Sequence, residues 1–174
     1  MSGGVAKDRR PPRPGEVALG FDPGEAAADA ALVFIGRLRT PWATRADCPR
    51  NGRLVEAIAT VEVDQPYRAG LTGIERVSHL ILLYWMDEAR RDLVIQVPGH
   101  SGGVPVGTFA LRSPVRPNPI ALAVVDLLGC DAAAGRLTVR GLDCRDGTPL
   151  LDIKPYFPAV DAWPQATVRP VERG

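Results

Sequence analysis

Seventeen prolines and eighteen glycines punctuate this chain, and that constrains its fold more than any other feature. Proline lacks a backbone donor and fixes φ, while glycine weakens helix and strand interiors, so the sequence predicts short elements joined by frequent turns. The densest case is Arg112–Ile120, RSPVRPNPI, with three prolines in nine residues. No regular element accommodates that many. With 174 residues, 45% apolar and 24% charged, the chain has the size and balance of one soluble globular domain.

The hydrophobic pattern places the elements. Leu32 to Leu38 reads as a first strand, followed by a polar, arginine-rich loop. Leu54 to Val63 alternates, with Ala57, Ala59, Val61 and Val63 on one side, as a half-buried strand does. AGLTGIERVSHL suits a short helical turn. LILLYWM is a central strand, although a buried helical segment has the same pattern. Gly99 to Gly103 forms a loop tip and Val104 to Leu111 another strand. IALAVVDLL, RLTVRGLD and LLDIKPY follow, separated by turns at DAAAG and DGTP. Short strands at close spacing predict a mainly β chain, a single-domain antiparallel β-barrel with short helical insertions. The expected organisation is a flexible N-terminal arm over 1–31, the barrel domain over 32–163 and a C-terminal tail over 164–174.

Charge excludes a global basic field, because the net value is +1. Lys7, Arg9, Arg10 and Arg13 against Asp8 give the first fourteen residues +3 and leave the remainder at −2, so any RNA contact is local. Cys48, Cys130 and Cys144 are odd in number and without a C-x-x-C pair, which indicates neither a disulfide framework nor a zinc site. His79 and His100 are the only histidines, and no metal is expected. The longest apolar run is too short to span a bilayer and no signal peptide is seen. A cytoplasmic protein without membrane association is expected.

Three polar clusters carry candidate chemistry. In RSPVRPNPI the prolines preorganise Arg112, Arg116 and Asn118 for a ligand, or the segment is a rigid connector with solvated arginines. Asp146-Gly147-Thr148-Pro149 is by itself a plain β-turn, since Asp-Gly is a strong hairpin signal. Trp42, Arg45, Asp47, Pro49, Arg50 and Asn51 form either an ordinary exposed loop or a contact for RNA or a small ligand. His79 is expected to be buried with its hydrogen bonds satisfied, and Tyr84, Trp85 and Met86 to be core residues. Neither a nucleophile motif nor a G-x-G-x-x-G fingerprint is present.

Taken together, IGRLRTPW with CPRN, GIERVSHLILLYW, GTFALRSPVRPNPIALAVVDLLG and GLDCRDGTPLLDIKPY resemble the TsaA-like family that includes the TrmO tRNA methyltransferases. The resemblance runs from about Phe34 to Asp161. It implies a β-barrel methyltransferase that uses S-adenosyl-L-methionine, acts as a homodimer with the cofactor near the subunit interface, and methylates N6 of threonylcarbamoyladenosine beside the tRNA anticodon. By position, Pro49, Arg50 and Asn51 match the family's Pro-Arg-Gln. Arg112 and Arg116 match its loop arginines, Asp146, Gly147, Thr148 and Pro149 its cofactor-binding turn, and Asp87 and Glu88 a further cofactor-contacting stretch.

The sequence also departs from the family pattern. Asn51 replaces the usual Gln, Ala121 the Gly after Pro-Asn-Pro-Ile, and Asp87 a common His. The residues after Asp161 are too few for the C-terminal domain of longer members, and the W-x-x-R-x-D-x-P loop suggests a subgroup. A different or broader acceptor is therefore an alternative, as is a non-catalytic cofactor- or RNA-binding module. Methyl transfer from a sulfonium is an in-line displacement, whose rate owes much to positioning. Asp146, Asp126 and Asp152 are candidates for accepting the proton released by the acceptor nitrogen.

Overall fold

The computed structural model of the chain describes residues 10–26, 29–99 and 101–168. They form two compact units. His100 and the basic residues Lys7 and Arg9 lie outside the described residues.

The larger unit, residues 31–86 with 120–162, is the expected barrel. Its strands are β2 (Gly36–Arg39), β3 (Ile58–Val63), β4 (His79–Trp85), β7 (Ile120–Asp131), β8 (Arg136–Arg140) and β9 (Thr148–Pro155). They close in the order β2-β3-β8-β7-β4-β9, and all the pairs are antiparallel. Closure leaves no long strand edge unpaired. The period-2 pattern sends Leu38, Ala59, Val61, Val63, Leu80, Leu82, Tyr84, Val125, Leu137, Val139 and Leu150 into the interior, where each is buried. They meet across the ladders, as in Leu38↔Val61, Val61↔Leu137 and Leu80↔Val125. The face read from the alternation of residues 57–63 is therefore the core face.

The register of β7 against β8 shifts between Leu127 and Gly129, as at a β-bulge, which lets a twelve-residue strand bend around the barrel. A short α-helix, α1 (Pro158–Asp161), follows β9. Among the described residues no helix is long and apolar enough to cross a membrane.

Several element boundaries depart from the sequence reading. The first strand starts at Gly36 rather than Leu32, and Leu32, Val33 and Phe34 are exposed. The ladder dictates this start: β3 and β9 supply partners back to Gly36, Ile35 adds one bond each with Leu150 and Asp64, and none is found beyond among the described residues. A Cβ on Gly36 would stand 1.9 Å from the carbonyl oxygen of Glu62, so glycine is required where β2 crosses β3 so closely. Residues 54–57 precede the strand that begins at Ile58. AGLTGIERVSHL takes in the end of one 3-10 segment, Gln65–Leu71, and the whole of a second, Ile74–Arg76, with Gly73 at φ +84° between them.

The second unit contains the described residues of 1–30, 87–119 and 163–174. It is built on a three-stranded sheet, β1 (Val17–Ala18), β5 (Leu93–Gln96) and β6 (Val106–Gly107), in the order β1-β5-β6. In the segment expected as an arm, Val17 pairs with Ile95. Arg10 and Arg13 both bond the Glu16 carboxylate, and these contacts, Arg10's foremost, hold it well below the usual carboxylate range. The strand expected over Val104–Leu111 shrinks to Val106–Gly107 and turns into a 3-10 segment, Thr108–Ala110. Thr108 is buried there by a polar side-chain network, so hydrophobic pattern alone does not reveal the turn.

Leu137 is fully buried whereas Leu128 is 47% exposed. Leu137→Ala is expected to cost about 2–5 kcal/mol of unfolding free energy in urea titrations. Leu128→Ala should stay within about 0.5 kcal/mol.

Candidate functional site

In the barrel unit, the Asp146 turn lies where the chain enters β9. The Thr148 amide donates to the Arg145 carbonyl at 3.3 Å and its Oγ1 to the same oxygen at 2.7 Å. Gly147 has φ +77°, a conformation that glycine takes at little cost. This is a β-turn, as the sequence suggests, but the strands around it are not a hairpin: β8 pairs with β3 and β7, and β9 with β2 and β4. The turn is instead docked on the chain leaving β2. The amide of Asp146 donates to the Trp42 carbonyl at 2.8 Å and that of Gly147 to the Leu38 carbonyl at 2.9 Å. Thr40 donates its amide to Asp146 Oδ1 at 3.1 Å, Arg39 stands 3.6 Å from Oδ2, and Arg37 donates to the Gly147 carbonyl at 3.0 Å.

The consequence is chemical polarity. Every backbone N–H at positions 146–148 is spent internally and Pro149 has none, so the backbone from Asp146 to Pro149 presents acceptors only. The turn's principal acceptor is the half-exposed Asp146 carboxylate.

The loop before β3 is built by local side-chain bonds. Asp47 accepts from Thr44 N at 2.9 Å and Thr44 Oγ1 at 2.7 Å, which lowers its carboxyl from the ordinary range. Asn51 Oδ1 accepts from Arg53 N at 2.9 Å and caps the 3-10 segment Gly52–Leu54. Arg50 is exposed and makes no hydrogen bond or ion pair with a described residue. Trp42 is buried, so the aromatic residue of this cluster does not present a face for stacking.

Of the other aspartates, Asp126 is held from two sides. His79 Nε2 stands 3.0 Å from Oδ1, while Arg140 donates to Oδ2 from Nε at 2.8 Å and Nη2 at 2.6 Å. Asp152 pairs with Lys154 at 2.6 Å and accepts from Ile153 N at 2.9 Å. His79 is exposed rather than buried. It opens β4 on the outward face, where Ser78 Oγ meets Nδ1 at 2.8 Å, so its hydrogen bonds are satisfied as expected, but at the surface. Tyr84 is core, donating its hydroxyl to Asp143 at 3.0 Å.

The arginine loop belongs to the second unit, as do the exposed Asp87 and Glu88. No regular element forms between Leu111 and Pro119. Arg112 is exposed. Arg116 is half-buried and donates from Nη1 to the Leu111 and Ser113 carbonyls, each at 3.3 Å. No described residue takes its Nε or Nη2.

Residues 37–162 match the family described as the tRNA-methyltransferase O N-terminal domain. This chain belongs to that family. The matched range takes in all six barrel strands from Arg37 onward, the Asp146 turn and the arginine loop.

One relative, "Probable S-adenosyl-L-methionine-binding protein VirR" of Rhizobium radiobacter, is 46% identical over 144 residues, covering 82% of this chain and 78% of the relative. An S-adenosyl-L-methionine-binding protein of Archaeoglobus fulgidus is 44% identical over 131 residues, 75% of this chain and 91% of that protein. The crystal structure of TrmO from Pseudomonas aeruginosa superposes with a TM-score of 0.67 at 36% identity, covering 80% of this chain. This chain spans 61% of the length of that TrmO chain. The TrmO fold is thus the fold observed here.

Two features of the molecule escape sequence reasoning. The His79–Asp126–Arg140 chain is visible only once β4, β7 and β8 are in register, with His79↔Asp126 and Asp126↔Arg140 as cross-strand pairs. The buried Gln96 lies outside the family segments, and Thr108 lies within one, GTFALRSPVRPNPI, without a pattern that marks it.

Beside the turn, Cys144 is buried, which pushes its thiol from an ordinary 9.0 up to about 12. The folded state therefore retains that proton where the unfolded chain releases it, so the thiol's contribution is fully present below pH 9 and is lost as pH rises toward about 12. Wild-type stability should fall more steeply with pH across this window than that of Cys144→Ala, measured by urea titration. In the native protein at pH 8, exposed Cys130 should alkylate first and Cys144 only on unfolding, as peptide mass analysis would show.

Proposed function

We propose that this chain is an S-adenosyl-L-methionine-dependent methyltransferase that modifies tRNA, with N6 of threonylcarbamoyladenosine beside the anticodon as acceptor. The observation that carries the reading is the family match over 37–162. The relatives named for S-adenosyl-L-methionine binding support the cofactor.

The residues present suit that cofactor. The Asp146 carboxylate, on a backbone that offers acceptors only, complements a ligand rich in donors, such as ribose hydroxyls, an adenine amine and an α-ammonium. Arg50 offers donors to an anionic group. Arg112 and Arg116 offer the same chemistry from their own loop, to a carboxylate or to an RNA phosphate. Asp87, Glu88, Pro49 and Asn51 remain part of the proposed cofactor-binding set.

When bound, S-adenosyl-L-methionine supplies a methyl group on a positive sulfur, open to in-line displacement. This chain's contribution is orientation: the Asp146 turn is fixed by hydrogen bonds from residues 37–42 and to them, so little order is lost when a ligand is seated. The proton released by N6 passes to an aspartate or to water. Asp126 and Asp152 are already engaged by Arg140 and Lys154 at 2.6 Å, whereas the nearest cation to Asp146 is 3.6 Å away. Among the three candidates, Asp146 has the longest contact with a cation, and that geometry supports it as the acceptor. All three cysteines are free, which suits a reducing cytoplasm. A homodimer is proposed as the working form.

Transfer of labelled methyl to total tRNA from a strain lacking its own homologue, followed by nucleoside mass analysis, tests the reading. Methylated threonylcarbamoyladenosine is the expected product. Cofactor binding without transfer to any RNA would favour the binding-module reading that the relatives' names also fit. Arg116→Ala should lower transfer about ten- to a hundredfold with an unchanged melting curve, and full activity would remove Arg116 from the site. Activity per subunit should fall on dilution if the dimer is the working form.

A further inference from the structure

The arginine loop has no regular hydrogen bonding of its own, yet its backbone is pinned from beneath by one amide. Gln96, the last residue of β5, is 7% exposed. Its Nε2 donates to Thr108 Oγ1 at 2.8 Å and to the Val115 carbonyl at 2.7 Å, and its Oε1 accepts from Ser113 Oγ at 2.9 Å. Ser113 Oγ in turn accepts from Val115 N at 3.2 Å, and Thr108 passes its hydroxyl proton to the Leu93 carbonyl at 2.9 Å. Both backbone polar groups of Val115, the residue just before Arg116, are therefore consumed. At the far end, Arg91 donates to the Pro117 carbonyl and, at 3.2 Å, to Asn118 Oδ1. A buried polar network fully satisfied in this way favours a single arrangement, and removing one member leaves the others unpaired.

We propose that Gln96 is a positioning residue whose buried amide holds the loop in the shape that presents Arg112 and Arg116 to an anionic group of the ligands. That group is a carboxylate of the cofactor or a phosphate of the tRNA. The inference rests on the methyltransferase reading above and adds to it the device that orders the loop before any ligand arrives. Guanidinium recognition of oxyanions is directional, so a loop released from Gln96 must be ordered again at the expense of affinity.

Gln96→Leu keeps most of the bulk and removes all three amide bonds. Ser113→Ala removes one of them together with the Val115 bond, and Ser113→Thr keeps the hydroxyl. The measurements are S-adenosyl-L-methionine affinity by calorimetry, tRNA affinity by filter binding, and amide exchange at Val115. Gln96→Leu is expected to weaken one of the two ligands about tenfold, to speed exchange at Val115, and to leave exchange in β4 and β8 unchanged. Loss confined to S-adenosyl-L-methionine identifies the carboxylate, and loss confined to tRNA, with a shallower salt dependence, the phosphate. Ser113→Ala should move in the same direction and Ser113→Thr should restore the wild-type values, which keeps the test open if Gln96→Leu does not fold. Unchanged affinity for both ligands alongside faster Val115 exchange overturns the inference alone, as does unchanged exchange. A wild-type protein that binds neither ligand overturns the methyltransferase reading together with it.

Discussion

The pairing of β9 with β2 on one side and β4 on the other is the constraint on which the barrel depends. Leu150, fully buried, stands at the meeting point, opposite Gly36 on β2 and opposite Tyr84 on β4. These partners are far apart in sequence, so the closure entropy of long loops must be met before the contacts form. What makes the closure stable is the convergence of inward apolar residues from six strands, together with the close approach that Gly36 allows between β2 and β3. The Asp146 turn belongs to the same closure. Its amides dock on the carbonyls of Leu38 and Trp42, so the element proposed to receive the cofactor is also the one that seats β9. Its geometry is rigid for the same reason that the barrel is closed.

This coupling explains what the sequence made legible. Alternation in residues 57–63 identifies its core face correctly, because burial on one side of a closed sheet imposes period 2 directly on side-chain type. The continuous apolar run of β4, by contrast, marks a strand without marking that Leu80, Leu82 and Tyr84 form its buried face. The punctuation by proline and glycine indicates short strands, and the Asp-Gly pair indicates a turn. The topology around that turn is a different matter. Asp-Gly usually joins neighbouring antiparallel strands, and here it joins β8 to a strand on the far side of the closed sheet. Local turn chemistry encodes the bend but not the partner, which is set by tertiary packing.

Boundaries fail where tertiary partners run out or compete. Leu32, Val33 and Phe34 have strand propensity and no ladder to join. Val104–Leu111 has an apolar strand pattern that yields after Gly107, because the side chain of Thr108 is drawn into the network of Gln96. Such a network leaves no periodic trace, since its members at 96, 108 and 113 satisfy geometry rather than spacing. His79 shows the same limit from the opposite side. Its position before an apolar run suggests burial, but as the first residue of β4 it falls on the outward face, and the register supplies Asp126 as its partner. The prolines of RSPVRPNPI correctly signal a loop without regular structure, but they do not reveal that Gln96 of β5 bonds its backbone.

The two polar elements divide the chemistry between them by the state of their backbones. At the Asp146 turn the backbone donors are consumed, leaving carbonyl and carboxylate oxygens, and a ligand that meets it must bring protons to share. At the arginine loop the consumed groups are chiefly carbonyls: Leu111 and Ser113 accept from Arg116, Val115 from Gln96 and Pro117 from Arg91. Arg116 Nε and Nη2 donate to no described residue, so a ligand there must bring lone pairs. This complementarity is independent of sequence motifs, because it follows from counting where each donor and acceptor goes. Hydroxyl and ammonium groups suit the first kind of surface, and carboxylates or phosphates the second. The same accounting bears on the reacting proton. Asp126 and Asp152 each stand 2.6 Å from a cation, whereas the cation beside Asp146 is 3.6 Å away. The proposed reaction thereby assigns proton uptake, like cofactor recognition, to the turn that closes the barrel.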